Sequence, residues 1–243
     1  MKIECRESAQ TLSKDQLILP EITIPQEVSR ILKRAEKAGI GVFEPYRFSN
    51  ITLNQSSNIE GWNSKLEDWY WKKIRNGELN QDAATLPYYW LLVDKTQKPN
   101  YKSGKQVYEK DPFGPLLGQL RRDKRIQNIE VKGMPETSRF GTSKNELTQV
   151  VFPEIAKLAE VEEKISQVRA LTAKEFNIIG NIRHPEWGRT NTREWLEDKL
   201  KDGHHLVGGD SDQGGLSQVS PAWPDSHYAA IGFRPVIVIS SKI

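Results

Sequence analysis

The sequence predicts an α+β protein, and three observations predict it. Apolar side chains recur at helical spacing in separate stretches, notably 25–38 and 64–76. Apolar runs of strand length, 86–93 and 236–239, lie elsewhere in the chain. Between 203 and 239 glycine pairs at 208–209 and 214–215 alternate with aromatics in a way that neither helices nor strands require. This last stretch reads as a loop-dominated surface closed by a buried strand, which is how a binding face is built.

Taken in order, residues 1–24 are mixed and end in the extended run Ile22-Thr23-Ile24. From 25 to 38, Val28, Ile31, Leu32 and Ala35 mark one helix face, with Pro25 acceptable in the first turn and Gly39 as the stop. A second helix is expected over 64–76, because Ser64 followed by Glu67 makes a capping box and Gly77 ends the run. Trp62, Trp69, Tyr70 and Trp71 are assigned to packing in preference to a carbohydrate or base platform. Residues 86–93 read as a central strand, and 94–114, rich in Lys, Pro, Gly and Tyr, as a long loop of the kind that usually serves a purpose. A short helix over 116–125 ends in Arg121-Arg122-Asp123-Lys124-Arg125, read as a solvated helix end in preference to a phosphate contact. Helical spacing returns over 145–159 through Leu147, Val151, Ile155 and Leu158, with Pro153 expected to kink or divide it.

The 243 residues fit one large domain or two small ones. Residues 1–80 form a helical and extended N-terminal part, separate from or integral to a domain over 81–243. A formal charge of +3 is too weak to favour nucleic acid or a membrane surface. The longest apolar runs fall far short of the ~20 residues of a membrane helix. The charged start lacks the apolar core of a signal peptide, so the expected location is the cytoplasm or a particle assembled there. Cys5 stands alone, which excludes an intrachain disulfide, a thiolate zinc cluster and a two-cysteine redox centre.

Four motifs carry a resemblance. Val168-Arg169-Ala170-Leu171-Thr172-Ala173-Lys174-Glu175-Phe176-Asn177 places a threonine N-cap three residues before Glu175. It resembles the Arg-Leu-Pro-Thr-Glu-Ala-Glu-Trp-Glu segment of the formylglycine-generating enzyme, or sulfatase-modifying factor, family. Asn191-Thr192-Arg193-Glu194-Trp195-Leu196-Glu197-Asp198 resembles that family's Gly-Asn-Val-Trp-Glu-Trp segment. Leu206-Val207-Gly208-Gly209-Asp210-Ser211 resembles its Arg-Gly-Gly-Ser-Trp turn, and Ile231-Gly232-Phe233-Arg234 its closing Gly-Phe-Arg and last strand. The order agrees over roughly the last third of the chain. The resemblance implies a C-type-lectin-like fold with few regular strands and long loops. In it Glu175, Trp195, Gly208, Gly209, Gly232, Phe233 and Arg234 are structural, with Arg234 in a buried ion pair or on carbonyls.

The departures narrow the chemistry. The copper-binding cysteine pair of the enzymes is missing, which argues against formylglycine formation. The four histidines, His184, His204, His205 and His227, lack a helical pair at metal-ligand spacing, and adjacent strand residues point to opposite faces. Asp210, Asp212 and Asp225 are weighed as a calcium site but read as solvated turns, so no cofactor and no metal is assigned. Compact versions of this fold occur among the variable proteins of diversity-generating retroelements and phage receptor-binding proteins. There the last strands carry diversified residues, of types that adenine-directed mutagenesis yields.

The expected function is therefore non-enzymatic binding of a protein or cell-surface ligand through Asp210, Asp212, Ser217, Ser220, Trp223, Asp225, Ser226, His227 and Tyr228. The alternatives are a diverged metal-dependent oxidoreductase using His204, His205 or His227, and a structural or receptor-binding subunit of a phage-like particle. A homo-oligomer fits the last.

Overall fold

The computed structural model describes residues 11–13, 24–41, 43–128, 131–162, 164 and 166–240, so the expectations on 22–23 and Cys5 fall outside the described residues. Helices and sheets are both present. Among the described residues, the five α-helices longer than one turn are α1 (Gln26–Lys37), α2 (Asp68–Arg75), α3 (Gly114–Arg122), α4 (Phe152–Leu158) and α5 (Ala173–Ile182). Eight strands build two four-stranded sheets: β1 (Phe43–Arg47), β2 (Tyr89–Asp94), β3 (Ser166–Ala170), β4 (Arg193–Lys199), β5 (His205–Gly208), β6 (Val219–Ala222), β7 (Ile231–Phe233) and β8 (Pro235–Ser240).

The first sheet has the order β1-β2-β8-β3, antiparallel throughout. Its inner strands are buried on both faces, and their two-residue period sorts side chains between two apolar clusters. Tyr89, Leu91, Val93 and Val236 enter the cluster of α2, α5, Trp62 and Trp187. Trp90, Leu92, Ile237 and Ile239 enter that of α1, α3, α4 and Phe233. The second sheet runs β6-β5-β4-β7, with β7 parallel to β4 and the rest antiparallel. The same alternation sends Leu196 and Leu206 to the first cluster, and Trp195 and Val207 to the second. Because β1 pairs with β2 and β2 with β8, residues from before position 80 share one sheet with the chain's last strand.

Local chemistry explains the helix ends. Thr172 accepts from the Glu175 N–H at 3.2 Å while Glu175 reaches back to the Thr172 N–H at 2.8 Å, the reciprocal cap the sequence predicts. Gly39 and Gly77 follow α1 and α2 at positive φ. Pro153 does divide its helix: a turn over Lys144–Glu146 widens into π-helical Leu147–Val151 before α4, where the Phe152 N–H reaches the Leu147 carbonyl.

Three expectations are corrected. The capping box at Ser64 does not form, and α2 starts at Asp68. The Ser64 N–H is taken by Asn181 Oδ1 at 2.8 Å and its carbonyl by Asn177 and Asn181, which pins this segment to α5. The expected strand over 86–93 is split at Pro87: Leu86 belongs to a two-residue strand paired with Ile51–Thr52, and β2 begins at Tyr89. Arg121 is not part of a solvated helix end. Its guanidinium is buried and donates to the Ser138 carbonyl at 2.8 Å, Thr142 Oγ1 at 2.9 Å and the Glu136 carbonyl, fastening α3 to the 136–142 loop.

Candidate functional site

The C-terminal surface rests on buried charge. Arg234, between β7 and β8, pairs with Glu194 of β4 at 2.9 Å and donates to the Asp94 and Thr96 carbonyls. Its guanidinium lies 4.1 Å over the Trp187 ring. Glu194 also accepts from Tyr108 at 2.7 Å. Arg139 joins Asp94 at 2.6 Å and Asp111 at 2.8 Å, stacked 4.1 Å from the Tyr108 ring. Burial opposes the charge of Asp94, but Arg139 and Arg234 beside it hold its carboxyl below the usual range. With Lys98 the cluster holds three cations and three carboxylates, so the burial leaves no net charge.

Lys98 connects this cluster to the surface. Its ammonium, 2% exposed, donates to the carbonyls of Thr192 at 2.5 Å and Gly209 at 2.7 Å, and burial draws it down to about 8. Gly209 turns at φ +99°, and a Cβ there would lie 2.6 Å from Lys98 Nζ and 3.0 Å from Phe176 Cζ. Gly215 is equally constrained, since a Cβ would lie 2.6 Å from the Gly188 carbonyl oxygen. The glycine pairs thus let two turns lie directly on the core.

Above this base, a cleft of about 380 Å³ is lined by Tyr101, Arg193, Asp210, Pro221, Ala222, Tyr228 and residues 229–231. Arg193 Nη2 and Nε lie 3.2 Å from Asp210 Oδ2, and Nη1 lies 3.5 Å from Ser220 Oγ. Asp210 Oδ1 accepts the Asp212 N–H at 3.0 Å and so closes the short turn over Ser211–Gln213. Tyr101 is 41% exposed and is held by its N–H on Asn191 Oδ1 at 2.8 Å. Trp223, next to the cleft residue Ala222, is 53% exposed and has its ring 3.8 Å from that of His204.

The nine residues expected to bind ligand are thus divided. Asp210 and Tyr228 line the cleft, and Ser220 touches its Arg193. Trp223, Asp212 and Asp225 are exposed. Ser217 bonds the Gly214 carbonyl at 2.8 Å, His227 lies 2.9 Å from Glu146, and Ser226 donates its N–H to the Trp223 carbonyl. Tyr228 is half-buried against Trp195, with ring centroids 5.9 Å apart. Tyr101 and Arg193 were not among the expected site residues. The signal for Tyr101 is its place in the long 94–114 loop, and for Arg193 its place two residues before Trp195 on the same strand face.

Among the described residues no group of three or more His, Cys, Asp or Glu is placed to hold a metal ion, so neither the aspartate trio nor the C-terminal histidines form such a group. Among them, too, no helix is long and apolar enough to cross a membrane. Compared with protein-family models, curated proteins and solved structures, the chain shows no match.

Proposed function

We propose that the chain is a non-enzymatic binding protein that presents residues 203–230, together with Tyr101, to a macromolecular ligand on a protein or cell surface. One observation carries this reading: the exposed ring of Tyr101 lines a cleft together with the Arg193–Asp210 pair, the exposed Trp223 directly follows the cleft residue Ala222, and the Gly209 turn is tied to a buried charge cluster. Trp and Tyr bring large, rigid contact area at low entropic cost, while small polar neighbours such as Asp212 and Ser217 adapt to the partner. We also infer a C-type-lectin-like fold of the sulfatase-modifying factor type. The support is the order of the four motifs, together with the buried positions of Trp195, Phe233 and Arg234 in the same sheet system. On this reading the exposed positions of the C-terminal loops suit diversification, because their side chains do not build the core.

The test is binding of the labelled protein to arrayed glycans, arrayed peptides and intact cells, for wild type and for Tyr101→Ala with Trp223→Ala. Saturable wild-type binding that falls at least about tenfold in a double variant of unchanged circular dichroism supports the reading. A folded double variant that binds as well as wild type overturns it.

A further inference from the structure

The first sheet ends at β3, and the outer edge of that strand faces a cavity of about 490 Å³ whose other walls include Phe152, Ala156 and Val161. The Ser166 N–H goes to the Glu162 carbonyl at 3.0 Å and the Ala170 N–H to Glu197 Oε2 at 3.3 Å, neither of them on β8. Alternate residues of a strand share one direction for their backbone polar groups, so the N–H and C=O of Val168 also point away from β8. Pro235 stands opposite Ala170, where the ladder requires no N–H, which fits the same parity. The outward groups of Val168 meet no partner among the described residues, while the Ser166 N–H and both the N–H and the carbonyl of Ala170 are engaged. One residue of sheet edge, Val168, itself 8% exposed, is thus left without a hydrogen-bond partner beside an apolar floor.

The occupant can be read from side-chain direction and charge. A residue paired directly with Val168 points to the same face as Val168, which is the face covered by Phe152 and Ile155. Around the cavity, Glu197 is neutralised by Lys144 at 2.7 Å, and Glu160 and Glu162 by Arg34 and Arg30 of α1. Lys157 is exposed on the rim and has no carboxylate within ion-pair distance among the described residues. We propose that this groove binds an extended peptide of another protein. One apolar residue pairs with Val168 and fills the cavity, and an acidic residue two positions away meets Lys157. The same edge of a second copy, paired at Val168, would instead offer Ser166 and Ala170 two positions away, neither of them acidic. The groove meets β4 at Glu197, four residues from Arg193, and is separate from the cleft already described.

The probe is acetyl-Asp-Thr-Ile-Thr-Asp-amide, titrated into the isotope-labelled full chain and followed by amide resonances. Saturable shifts centred on 166–169 are expected. N-methylation of the central isoleucine, which removes its donor to Val168, should weaken binding about tenfold. Lys157→Glu should reverse the preference over the peptide with Lys in place of Asp. The proposal fails if no saturable shift arises at millimolar peptide, if the shifts lie elsewhere, or if N-methylation changes nothing. It also fails if the free protein dimerises with the Val168 amide protected, which would make a second copy the occupant.

Discussion

Gly209→Ala is the substitution that most sharply separates backbone strain from disruption of the buried charge. Alanine at φ +99° costs about 1–2 kcal/mol of strain on its own. Its methyl would also fall 2.6 Å from Lys98 Nζ, inside any contact distance, so the ammonium must leave the Gly209 and Thr192 carbonyls. Losing hydrogen bonds from a buried charged group adds about 1–3 kcal/mol. Together these give about 2–5 kcal/mol. Gly203 supplies the control, because it has the same φ of +99° with nothing within 4 Å of a built Cβ. Gly203→Ala should therefore cost about 1–2 kcal/mol, from strain alone. Urea unfolding of both variants with matched slopes measures the difference directly. Unfolding free energies that agree to within about 0.5 kcal/mol would refute the claim that Lys98 holds the turn.

Trp195→Ala and Phe233→Ala should each cost about 3–5 kcal/mol in the same assay, while Ser217→Ala and Ser226→Ala stay within about 0.5 kcal/mol; four equal midpoints would undo the core assignment. Glu194→Gln leaves Arg234 buried without its carboxylate and should destabilise by about 3–5 kcal/mol, so an unchanged melting temperature would show that the pair is dispensable. Burial, with Lys144 nearby, lowers His205 to about 4, below its unfolded value of 6.5. In that interval the unfolded chain binds more protons, so stability should fall as pH drops from about 6.5 to about 4. His205→Gln should flatten this part of the profile; an identical profile in the variant would assign the pH dependence to other groups.

What the sequence made legible was local. The Thr172–Glu175 cap, the α1 face and the division of the helix at Pro153 each depend on residues within a few positions of one another, and all three form. Arg234 was read as a buried pair or carbonyl donor from its place before an apolar strand, and it makes both contacts. What stayed hidden is long-range. Arg139 meets Asp94 across 45 residues of chain, and Lys98 meets Gly209 across 111, distances over which no spacing rule operates. Ser64 failed as a cap for the same reason: Asn177 and Asn181, more than a hundred residues on, claim its backbone. Tyr101 was visible only as part of a long loop, because its role depends on Asn191 holding that loop against the cleft.

If the exposed and half-buried side chains of the C-terminal loops serve display, and the glycine turns and buried charges beneath them serve folding, the former can be removed without loss of the fold. Calorimetry of a chain with Asp212, Ser217, Trp223, Asp225 and Ser226 all changed to alanine tests this most directly. If the five positions are surface, their summed cost is about 1–2 kcal/mol, and for a chain of this size the melting temperature should fall by no more than about 5 °C in one cooperative transition. A fall of more than about 15 °C, or loss of cooperativity, would contradict the account by making these residues part of the fold they are said to decorate.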